Sequence, residues 1–585
     1  MVKTFTRKKI LILAVLLAAV WFFLVGRLAY LMLVKSEYYY EKAEALHARE
    51  RSIKAKRGVI YDRNGIELAG NVPVCSISVI HSQIEDEEGV IQALCKVLEL
   101  DEDLVRKKVT ANSIREKIKS NVPKDMADRL RDMNLAGVKI DEDYKRYYPY
   151  EDLASKVLGF TGSDNQGIVG LEVKYDSILA GTPGSILTVT DANGFEVENA
   201  AEGRIEPVAG DNLYTTIDVN IQKYAQQSAE TVRKSKQAKR VSIILMNPQN
   251  GELLAMVNVP EYNLNEPYQL NEITDSNLSE SDALNNMWRN FCINDTYEPG
   301  SVFKIVTATA ALEEQVVTQK DTFYCPGYRV VDDRRIRCAK TTGHGQETFK
   351  EGIMNSCNPV FIDVGSRVGV DNMYKYYKKL GLLEKTGVDL PGEASSIMHK
   401  KGNVGNVELA TMSFGQSIQV TPMQLLRAVS AVLNGGTLVT PHFAMYVTDE
   451  ENHIKNKFSY EQKEQVISKE TSNQMKECLE AVVSDGGGTK GQVEGYRIGG
   501  KTATSEKFPR GNGKYISAFM GFAPANNPQI VGLILIDEPV GAYYGGMIAA
   551  PVMSDLFANI LPYLGIEAEF QEETTETVME IEIMD

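Results

Sequence analysis

The sequence predicts a membrane-anchored α+β multidomain protein with a single N-terminal transmembrane helix, a mixed α/β module and a larger second domain. Three observations predict this architecture. An uncharged stretch from Ile10 to Gly26 follows a basic tail. Residues 50–235 alternate between short strands and segments with helical spacing. Beyond Val241, strands at both ends of a long region enclose mostly helical segments, which favours one antiparallel sheet beside a helical subdomain.

The N-terminal segment predicts how the chain meets the membrane. The apolar stretch continues past Arg27 to Val34, which is long enough to span a bilayer. Basic residues before it predict that residues 1–9 are cytoplasmic, residues 10–34 lie in the membrane and the rest is extracytoplasmic. A cleaved signal peptide is the alternative, but the run is long for one and no Ala-x-Ala site follows it. We therefore expect a single-pass protein of the cell membrane.

Residues 35–235 are predicted to form a stalk and a non-catalytic module. Residues 36–56 are mixed polar and basic, and we expect them to continue the membrane helix as a helical stalk. The segment 57–69 contains an Asn-Gly pair between two apolar runs, which predicts a β-hairpin. The second domain is assigned to residues 236–565. Residues 566–585 are acidic, without Lys or Arg, and are predicted to be disordered.

Composition excludes some classes of function. The chain has 585 residues, enough for several domains, and its net charge of −15 argues against a nucleic-acid surface. Six scattered histidines and the absence of closely paired cysteines predict no metal site. No cofactor-binding motif is present either, so we expect none to be needed.

The segment Glu298-Pro299-Gly300-Ser301-Val302-Phe303-Lys304 lies just past the middle of the chain. A Pro-Gly turn precedes a segment without Gly or Pro, which predicts a helix beginning near Ser301. Ser301 and Lys304 would then share one helix face, one turn apart. A serine with an amine in reach is a nucleophile with a base. Taken alone, the same pattern also describes a serine cap followed by a solvated lysine.

Two further short motifs favour the catalytic interpretation of Ser301 and Lys304 over the structural one. Ser356-Cys357-Asn358 stands at the junction of two predicted helices, and Lys501-Thr502-Ala503-Thr504 lies on a predicted strand. With Ser301-Val302-Phe303-Lys304 they occur in the order of the Ser-x-x-Lys, Ser-x-Asn and Lys-Thr-Gly motifs of penicillin-interactive serine enzymes.

Around these motifs the chain resembles the class B penicillin-binding proteins from the membrane helix to about residue 562. This resemblance implies a dimerisation or pedestal module followed by a penicillin-binding transpeptidase domain with a serine β-lactamase-like fold. Ser413-Phe414-Gly415-Gln416 is more similar to the division and sporulation branch than to the elongation branch. Other similar segments are Arg57–Ala69, Arg146–Pro149, Gly159-Phe160, Gly170–Glu172, Gly251–Met256, Val420–Pro422, Asn434–Gly436 and Phe519–Pro524.

The resemblance implies a D-alanyl-D-alanine peptide as substrate, and chemistry assigns roles to the first two motifs. Ser301 attacks the peptide carbonyl. Lys304 is its base if burial and the nearby cation Lys501 lower the lysine pKa, and otherwise it stays charged and orients Ser301. Ser356 relays a proton to the leaving amine. Asn358 holds Lys304 and the substrate backbone, or alternatively caps a helix.

The third motif is expected to bind the substrate. Lys501 and the hydroxyls of Thr502 and Thr504 suit the C-terminal carboxylate. The backbone N–H groups of Ser301 and Thr504 would form the oxyanion hole. Ala503 departs from the family pattern, which has Gly there. Because a methyl group is small, we expect activity to survive with altered β-lactam affinity.

These roles predict a serine-type D-Ala-D-Ala transpeptidase that cross-links peptidoglycan stem peptides in septal or spore cell-wall synthesis and is inhibited by β-lactams. No sugar-polymerising module is visible, so the resemblance implies a polytopic glycosyltransferase and division or sporulation proteins as partners. The enzymatic alternatives are a D,D-carboxypeptidase or a β-lactamase. The non-enzymatic ones are a division-machinery scaffold or a β-lactam sensor.

Seven cysteines in an external protein call for an explanation. Cys325 and Cys338 flank a predicted hairpin, so a structural disulfide between them is one interpretation. A bridge that involves Cys357, within Ser356-Cys357-Asn358, would instead make the site redox-sensitive. Sequence does not choose between the two pairings.

Overall fold

The fold is described from a computed structural model that covers residues 2–39, 48–111, 115–189, 203–271 and 278–569. In the first part of the chain the helices are α1 Val2–Ala29, α2 Glu87–Leu98, α3 Glu102–Val109, α4 Lys124–Asp132, α5 Ser155–Leu158, α6 Gly170–Lys174 and α7 Asp176–Leu179. The strands there are β1 Ala48–Ile53, β2 Ile60–Tyr61, β3 Glu67–Val79, β4 Glu116–Pro123, β5 Val138–Tyr147, β6 Gly184–Val189, β7 Gly203–Ile205 and β8 Asn212–Thr215.

The later helices are α8 Val219–Lys236, α9 Glu280–Trp288, α10 Phe291–Asn294, α11 Lys304–Glu313, α12 Phe349–Met354, α13 Asn358–Lys379, α14 Asn406–Met412, α15 Pro422–Leu433, α16 Lys469–Ser484, α17 Gly545–Ile548 and α18 Ala550–Tyr563. The later strands are β9 Arg240–Met246, β10 Leu253–Val259, β11 Thr322–Cys325, β12 Tyr328–Val331, β13 Arg334–Arg337, β14 Gly345–Thr348, β15 Ala444–Thr448, β16 Ile454–Lys457, β17 Gly499–Glu506, β18 Tyr515–Ala523 and β19 Ile530–Asp537.

The prediction of a helical stalk over residues 36–56 is wrong for its last part. Residues 48–53 form strand β1, which pairs antiparallel with β6 from Ala48↔Val189 to Ile53↔Gly184. Ladder hydrogen bonds to a distant segment outweigh the weak helix propensity of this stretch. Residues 40–47 of the predicted stalk lie outside the described residues, as do residues 570–585 of the predicted disordered tail.

The described chain packs into two compact units, each made of three separate segments. The sequence instead predicted a single division after residue 235. The first unit comprises residues 1–56, 71–145 and 181–209. Its core lies where α2 and α3 pack against β3 and β4, with Ile77, Leu94 and Val122 fully buried. It also contains the segment Arg7–Val34, which among the described residues is the one helical stretch long and apolar enough to cross a membrane.

The second unit contains a five-stranded antiparallel sheet in the order β10-β9-β19-β18-β17. The hairpin β9–β10 joins β19 through pairs such as Val531↔Met246. All residues of β10 and β19 are buried, as expected for strands covered on both faces. The predicted antiparallel sheet with a helical subdomain is thus confirmed, and β17 is its edge strand.

The helical part of this unit is built around α11. Every residue from Lys304 to Leu312 is buried, and the helix packs against α13, α15 and α16. Small residues such as Ala308 and Ala311 let these helices approach closely. A helix that is enclosed all round is held rigidly, so its N-terminal turn is fixed in space.

Three segments singled out in the first half of the sequence converge on one buried carboxylate in the second unit. Glu172 is fully buried and accepts hydrogen bonds from Arg57 Nε at 2.6 Å and Arg146 Nε at 2.7 Å. Tyr148 donates its hydroxyl to the same carboxylate at 3.2 Å. Arg57 also contacts Asp176 at 2.8 Å. A buried charge that accepts several charge-assisted hydrogen bonds fixes the positions of these segments relative to one another.

Candidate active site

The predicted nucleophile lies on a short, strained turn. Gly300–Phe303 form a 3-10 turn that runs directly into α11, and Ser301 is half-buried at its second position. Gly300 has a φ of +55°, and a Cβ built on it would stand 2.3 Å from Ser505 Oγ. Glycine is therefore needed here both for its conformation and for its lack of a side chain. The turn brings Ser301 against strand β17.

Three contacts that the sequence did not reveal brace this turn. The Gly300 N–H donates to the Gly415 carbonyl at 3.0 Å. Glu298 forms an ion pair with Arg510, and its Oε1 accepts a hydrogen bond from the Ser417 N–H at 2.9 Å. Glu298 could have been suspected from its place beside Ser301. Arg510 lies in a loop far along the chain and carries no signal in the sequence.

Lys304 lies one turn after Ser301 and points into a polar cluster. Its Nζ donates to Asn358 Oδ1 at 2.8 Å, to the Ser356 carbonyl at 2.7 Å and to Ser356 Oγ at 3.2 Å. The side chain is 1% exposed. The structure therefore brings Lys304, Ser356 and Asn358 together, and helical spacing puts Ser301 on the same face as the amine.

Burial lowers the pKa of the Lys304 amine to about 8, because the charged form loses its hydration. The charges of Cys357, Cys338 and Glu347 act in the opposite direction. Lys501 is also fully buried, and burial together with the positive charge of Lys304 lowers its pKa well below the ordinary range. The charge of Lys304 thus disfavours protonation of Lys501, whereas the lowered pKa of Lys304 is due to burial.

Ser356 and Asn358 are held at the junction of α12 and α13. Ser356 has a φ of +54°, a left-handed conformation that costs a serine about 1 kcal/mol. Asn358 begins α13, and its Nδ2 donates to the Arg337 carbonyl at 3.0 Å. The amide is thus oriented with Nδ2 toward the β-hairpin and Oδ1 toward Lys304. The buried Cys357 stands between the two residues.

Strand alternation separates the side chains of the third motif. Lys501 and Ala503 are buried on one face of β17, whereas Thr502 and Thr504 are half-exposed on the other. Lys501 Nζ donates to the Thr502 carbonyl at 3.2 Å, and Thr504 Oγ1 accepts from the Gly545 N–H at 3.1 Å. Thr502 and Thr504 therefore share the accessible face, while Lys501 approaches the site from behind.

Ala503, the departure from the family pattern, fits on the buried face of β17. Its methyl lies 3.6 Å from where a Cβ on Gly300 would stand, which is an ordinary van der Waals separation. The methyl therefore meets no clash at the turn. It also points away from the face that Thr502 and Thr504 present.

All seven cysteines are thiols in the structure, so it contains neither of the two disulfides considered above. Cys325 and Cys338 do flank the hairpin β12–β13, and Cys357 lies beside them. A hydrogen bond from Cys357, with backbone N–H groups assisting, lowers the pKa of Cys338. A fourth residue, His344, belongs to the same cluster and was not singled out from the sequence.

Comparison with known families identifies the class to which this fold and site belong. Residues 241–558 match the model of the penicillin-binding protein transpeptidase domain, and residues 52–215 match that of the penicillin-binding protein dimerisation domain. The chain belongs to the penicillin-binding protein transpeptidase family and is a class B penicillin-binding protein. The predicted resemblance is thereby confirmed.

Individual relatives extend over nearly the whole chain. The stage V sporulation protein D of Bacillus subtilis is 37% identical over 99% of this chain and 90% of its own length. The peptidoglycan D,D-transpeptidase FtsI of Escherichia coli is 29% identical over 94% of this chain and 90% of its own length. The fold is shared with penicillin-binding protein 2X of Streptococcus thermophilus, with a TM-score of 0.74, 21% identity and coverage of 88% of this chain and 81% of that one. The fold is also shared with a peptidoglycan synthetase of Bifidobacterium adolescentis, with a TM-score of 0.72, 22% identity and coverage of 90% of this chain and 98% of that one.

Proposed function

We propose that this protein is a serine-type D-Ala-D-Ala transpeptidase that cross-links peptidoglycan stem peptides in septal or spore cell-wall synthesis through an acyl-enzyme on Ser301. The observation that carries the proposal is the buried amine of Lys304. It lies one turn after Ser301 and within hydrogen-bond distance of Ser356 and Asn358. The family supplies the substrate class, and the printed names of the sporulation and division relatives support the cellular role.

In the first half-reaction, Ser301 Oγ attacks the carbonyl between the two D-alanines while neutral Lys304 accepts the hydroxyl proton. The C–N bond then breaks, and the proton passes from Lys304 through Ser356 to the departing amine of D-alanine. The hydrogen bond between Lys304 Nζ and Ser356 Oγ supports this route. The product is an ester between Ser301 and the shortened stem peptide.

In the second half-reaction, the amine of a neighbouring stem peptide attacks this ester. Its proton returns through Ser356 and Lys304 to Ser301 as the C–O bond breaks, so the enzyme is regenerated. β-Lactams imitate the D-alanyl-D-alanine bond and acylate the same serine. Hydrolysis of the ester instead of aminolysis would give a D,D-carboxypeptidase with the same first step.

The edge strand β17 supports a binding mode for the donor peptide. An edge strand offers unpaired backbone groups with which an extended peptide can pair. The hydroxyls of Thr502 and Thr504 would receive the terminal carboxylate, with the buried Lys501 amine behind them, whose charged form the bound carboxylate would favour. The backbone N–H groups of Ser301 and Thr504 would stabilise the oxyanion.

The remaining predictions on organisation are kept as part of this proposal. Residues 1–9 are cytoplasmic, residues 10–34 anchor the chain, and residues 35–235 form the stalk and docking module. Residues 236–565 form the extracytoplasmic catalytic domain and residues 566–585 a tail. A polytopic glycosyltransferase and division or sporulation proteins are the proposed partners.

Acylation tests the chemistry directly. Full-length protein in detergent is incubated with a fluorescent penicillin, and the labelled peptide is located by mass spectrometry. We expect one label on Ser301 and loss of labelling in Ser301→Ala. Ser484→Ala is the matched control, because Ser484 is an exposed serine at the end of α16. Labelling of Ser301→Ala at the wild-type level would contradict the proposal.

Product analysis and complementation separate the alternatives. With a stem pentapeptide donor and an amine acceptor, a transpeptidase forms the cross-linked product, whereas a carboxypeptidase releases only the tetrapeptide. A gene that encodes Ser301→Ala should fail to rescue a strain that lacks the protein. Rescue by that variant would indicate a scaffold whose serine is dispensable.

A further inference from the structure

Four side chains with soft metal-ligand atoms meet at one buried point beside the second motif. The sulfurs of Cys325, Cys338 and Cys357 and a ring nitrogen of His344 all lie within 4.8 Å of one another. The three cysteines are at most 3% exposed, and the His344 side chain is 11% exposed. Cys338 Sγ and His344 Nδ1 are 3.8 Å apart.

The fold explains how residues with no metal-like spacing come together. Cys325 ends β11, and its ladder partner is Gly345 at the start of β14, so His344 is carried to its side. Cys338 follows the hairpin strand β13, and Cys357 immediately precedes α13. Gly343 lies so near that a Cβ on it would stand 2.4 Å from the Cys325 carbonyl.

A buried carboxylate gives a second, independent indication that a cation belongs here. Glu347 is 3% exposed, and its Oε1 has no hydrogen-bond partner in the described part of the chain. This oxygen lies 3.7 Å from His344 Nδ1. Its other oxygen accepts from Asn355 Nδ2 at 3.1 Å. An incompletely paired carboxylate in a dry interior is destabilising unless positive charge compensates it.

From this arrangement we propose that Cys325, Cys338, His344 and Cys357 form a structural Zn²⁺ site in this protein. Three thiolates and one imidazole are a common tetrahedral ligand set for zinc. Zn–S bonds of about 2.3 Å place tetrahedral sulfurs roughly 3.8 Å apart, so the observed cluster needs only small adjustments. Each thiol that binds the ion releases its proton to solvent, and Glu347 is placed to orient the imidazole or balance the charge.

The proposed zinc site is connected to the cluster of Lys304, Ser356 and Asn358 through one ligand, Cys357. Cys357 is bonded on one side to Ser356 and on the other to Asn358, both of which bind Lys304 Nζ. A zinc–sulfur bond at Cys357 would hold this left-handed junction in place. The metal has four protein ligands and no open position, so it serves as a positioning element and takes no part in the acyl transfer. This reverses the expectation from sequence that the chain has no metal site.

Metal content tests the assignment without any dependence on transpeptidase activity. Full-length protein, purified with reductant and without chelator, is analysed by plasma mass spectrometry. We expect one zinc per chain, falling at least tenfold in Cys325→Ser and Cys338→Ser. His344→Cys should retain zinc, because a fourth thiolate replaces the imidazole. Cys478→Ser is the matched control, a buried thiol on α16 outside the cluster.

A spectroscopic readout keeps the test valid if a serine variant fails to fold. Wild-type protein loaded with Co²⁺ should show thiolate charge-transfer bands and tetrahedral ligand-field bands, with a shift in His344→Cys. Zinc far below one per chain, or equal zinc in Cys338→Ser and Cys478→Ser, would overturn the proposal. So would a disulfide between any two of the three cysteines in the purified protein, mapped on non-reduced peptides.

The positioning role has its own measurement. Removing zinc with a chelator is expected to slow penicillin acylation at least tenfold, and adding zinc back should restore it. Because the metal content is read separately, a protein that binds zinc but never acylates would refute the proposed function and leave the metal site standing. An unchanged acylation rate in zinc-free protein would refute the positioning role.

Discussion

A single amine sets the chemistry at the scale of residues. Lys304 is buried, and with a pKa of about 8 it is neutral in about one molecule in ten at pH 7. The acceptors Ser356 and Asn358 hold it in place in either state, because a neutral amine still donates hydrogen bonds. The lysine is thus poised near the pH at which it must accept the proton of Ser301.

This pKa predicts the pH dependence of acylation. In the proposed mechanism the neutral amine of Lys304 is the base, and its fraction falls as pH drops below the lowered pKa. The rate of acylation by benzylpenicillin should therefore rise with pH and level off above about 8, and at pH 6 it should be about a hundredfold below the plateau. Stopped-flow measurement from pH 6 to 9 gives the profile. Lys304→Ala serves as the control, with a low and flat profile, and a flat profile in the wild type would contradict the assignment.

The methyl of Ala503 makes a second prediction at this scale. It faces the Cα of Gly300 on the buried side of β17, so Ala503→Gly should keep acylation within about threefold of wild type. Ala503→Val adds two methyl groups against the turn of Ser301 and should cost about 1–3 kcal/mol of stability and at least tenfold in acylation rate. Titration with a penicillin and a cephalosporin measures both variants. Equal acylation rates in the wild type and both variants would show that the buried face of β17 at Ala503 does not affect Ser301.

At the scale of elements, the site depends on where the turn before α11, the junction of α12 and α13, and the edge strand β17 meet. The sequence predicted α11 and β17 from local patterns, and helical spacing made Ser301 and Lys304 neighbours. The contact of Lys304 with Ser356 could be inferred only through the family resemblance. Arg510 was missed because its partner Glu298 is distant in sequence. His344 and Glu347 were missed because no local motif marks them, and only the fold brings Cys325, Cys338 and Cys357 to His344.

The carboxylate of Glu172 ties together the segments around Arg57, Arg146 and Tyr148. Glu172→Gln removes the counter-charge of Arg146 and leaves Arg57 with Asp176 alone, which should destabilise the protein by about 3–5 kcal/mol. Thermal unfolding should show a midpoint lowered by several degrees. Glu230→Gln, which removes an exposed helix pair with Lys234, is the control and should change stability by less than about 1 kcal/mol. Equal midpoints for the two variants would show that the buried cluster is not a structural tie.

At the scale of the whole molecule, one apolar segment decides where the chemistry takes place. The most apolar part of Arg7–Val34 has a mean hydropathy of 2.6 and no buried residues. A stretch of this length and composition is stable in a bilayer and costly in water. In the proposed function, a catalytic domain joined to such a segment works on polymer close to the membrane surface.

The proposed orientation can be checked on intact cells. Protease added to protoplasts should digest the chain beyond residue 34, whereas a cytoplasmic marker protein stays intact. Deletion of residues 1–34 should move the protein from the carbonate-resistant membrane fraction to the soluble one. Protection of the catalytic domain in intact protoplasts would reverse the assigned topology.

The strand order in the sheet of the second unit determines when each strand of the newly made chain can find its partner. Strand β9 lies between β10 and β19, yet β19 follows it roughly 300 residues later along the chain. At ordinary rates of synthesis, the apolar hairpin β9–β10 waits on the order of half a minute for its neighbour. During that interval its open edge can pair with any other exposed strand. With the proposed orientation, export and chaperone capacity outside the membrane, rather than final stability, should therefore limit how much of this protein a cell can produce.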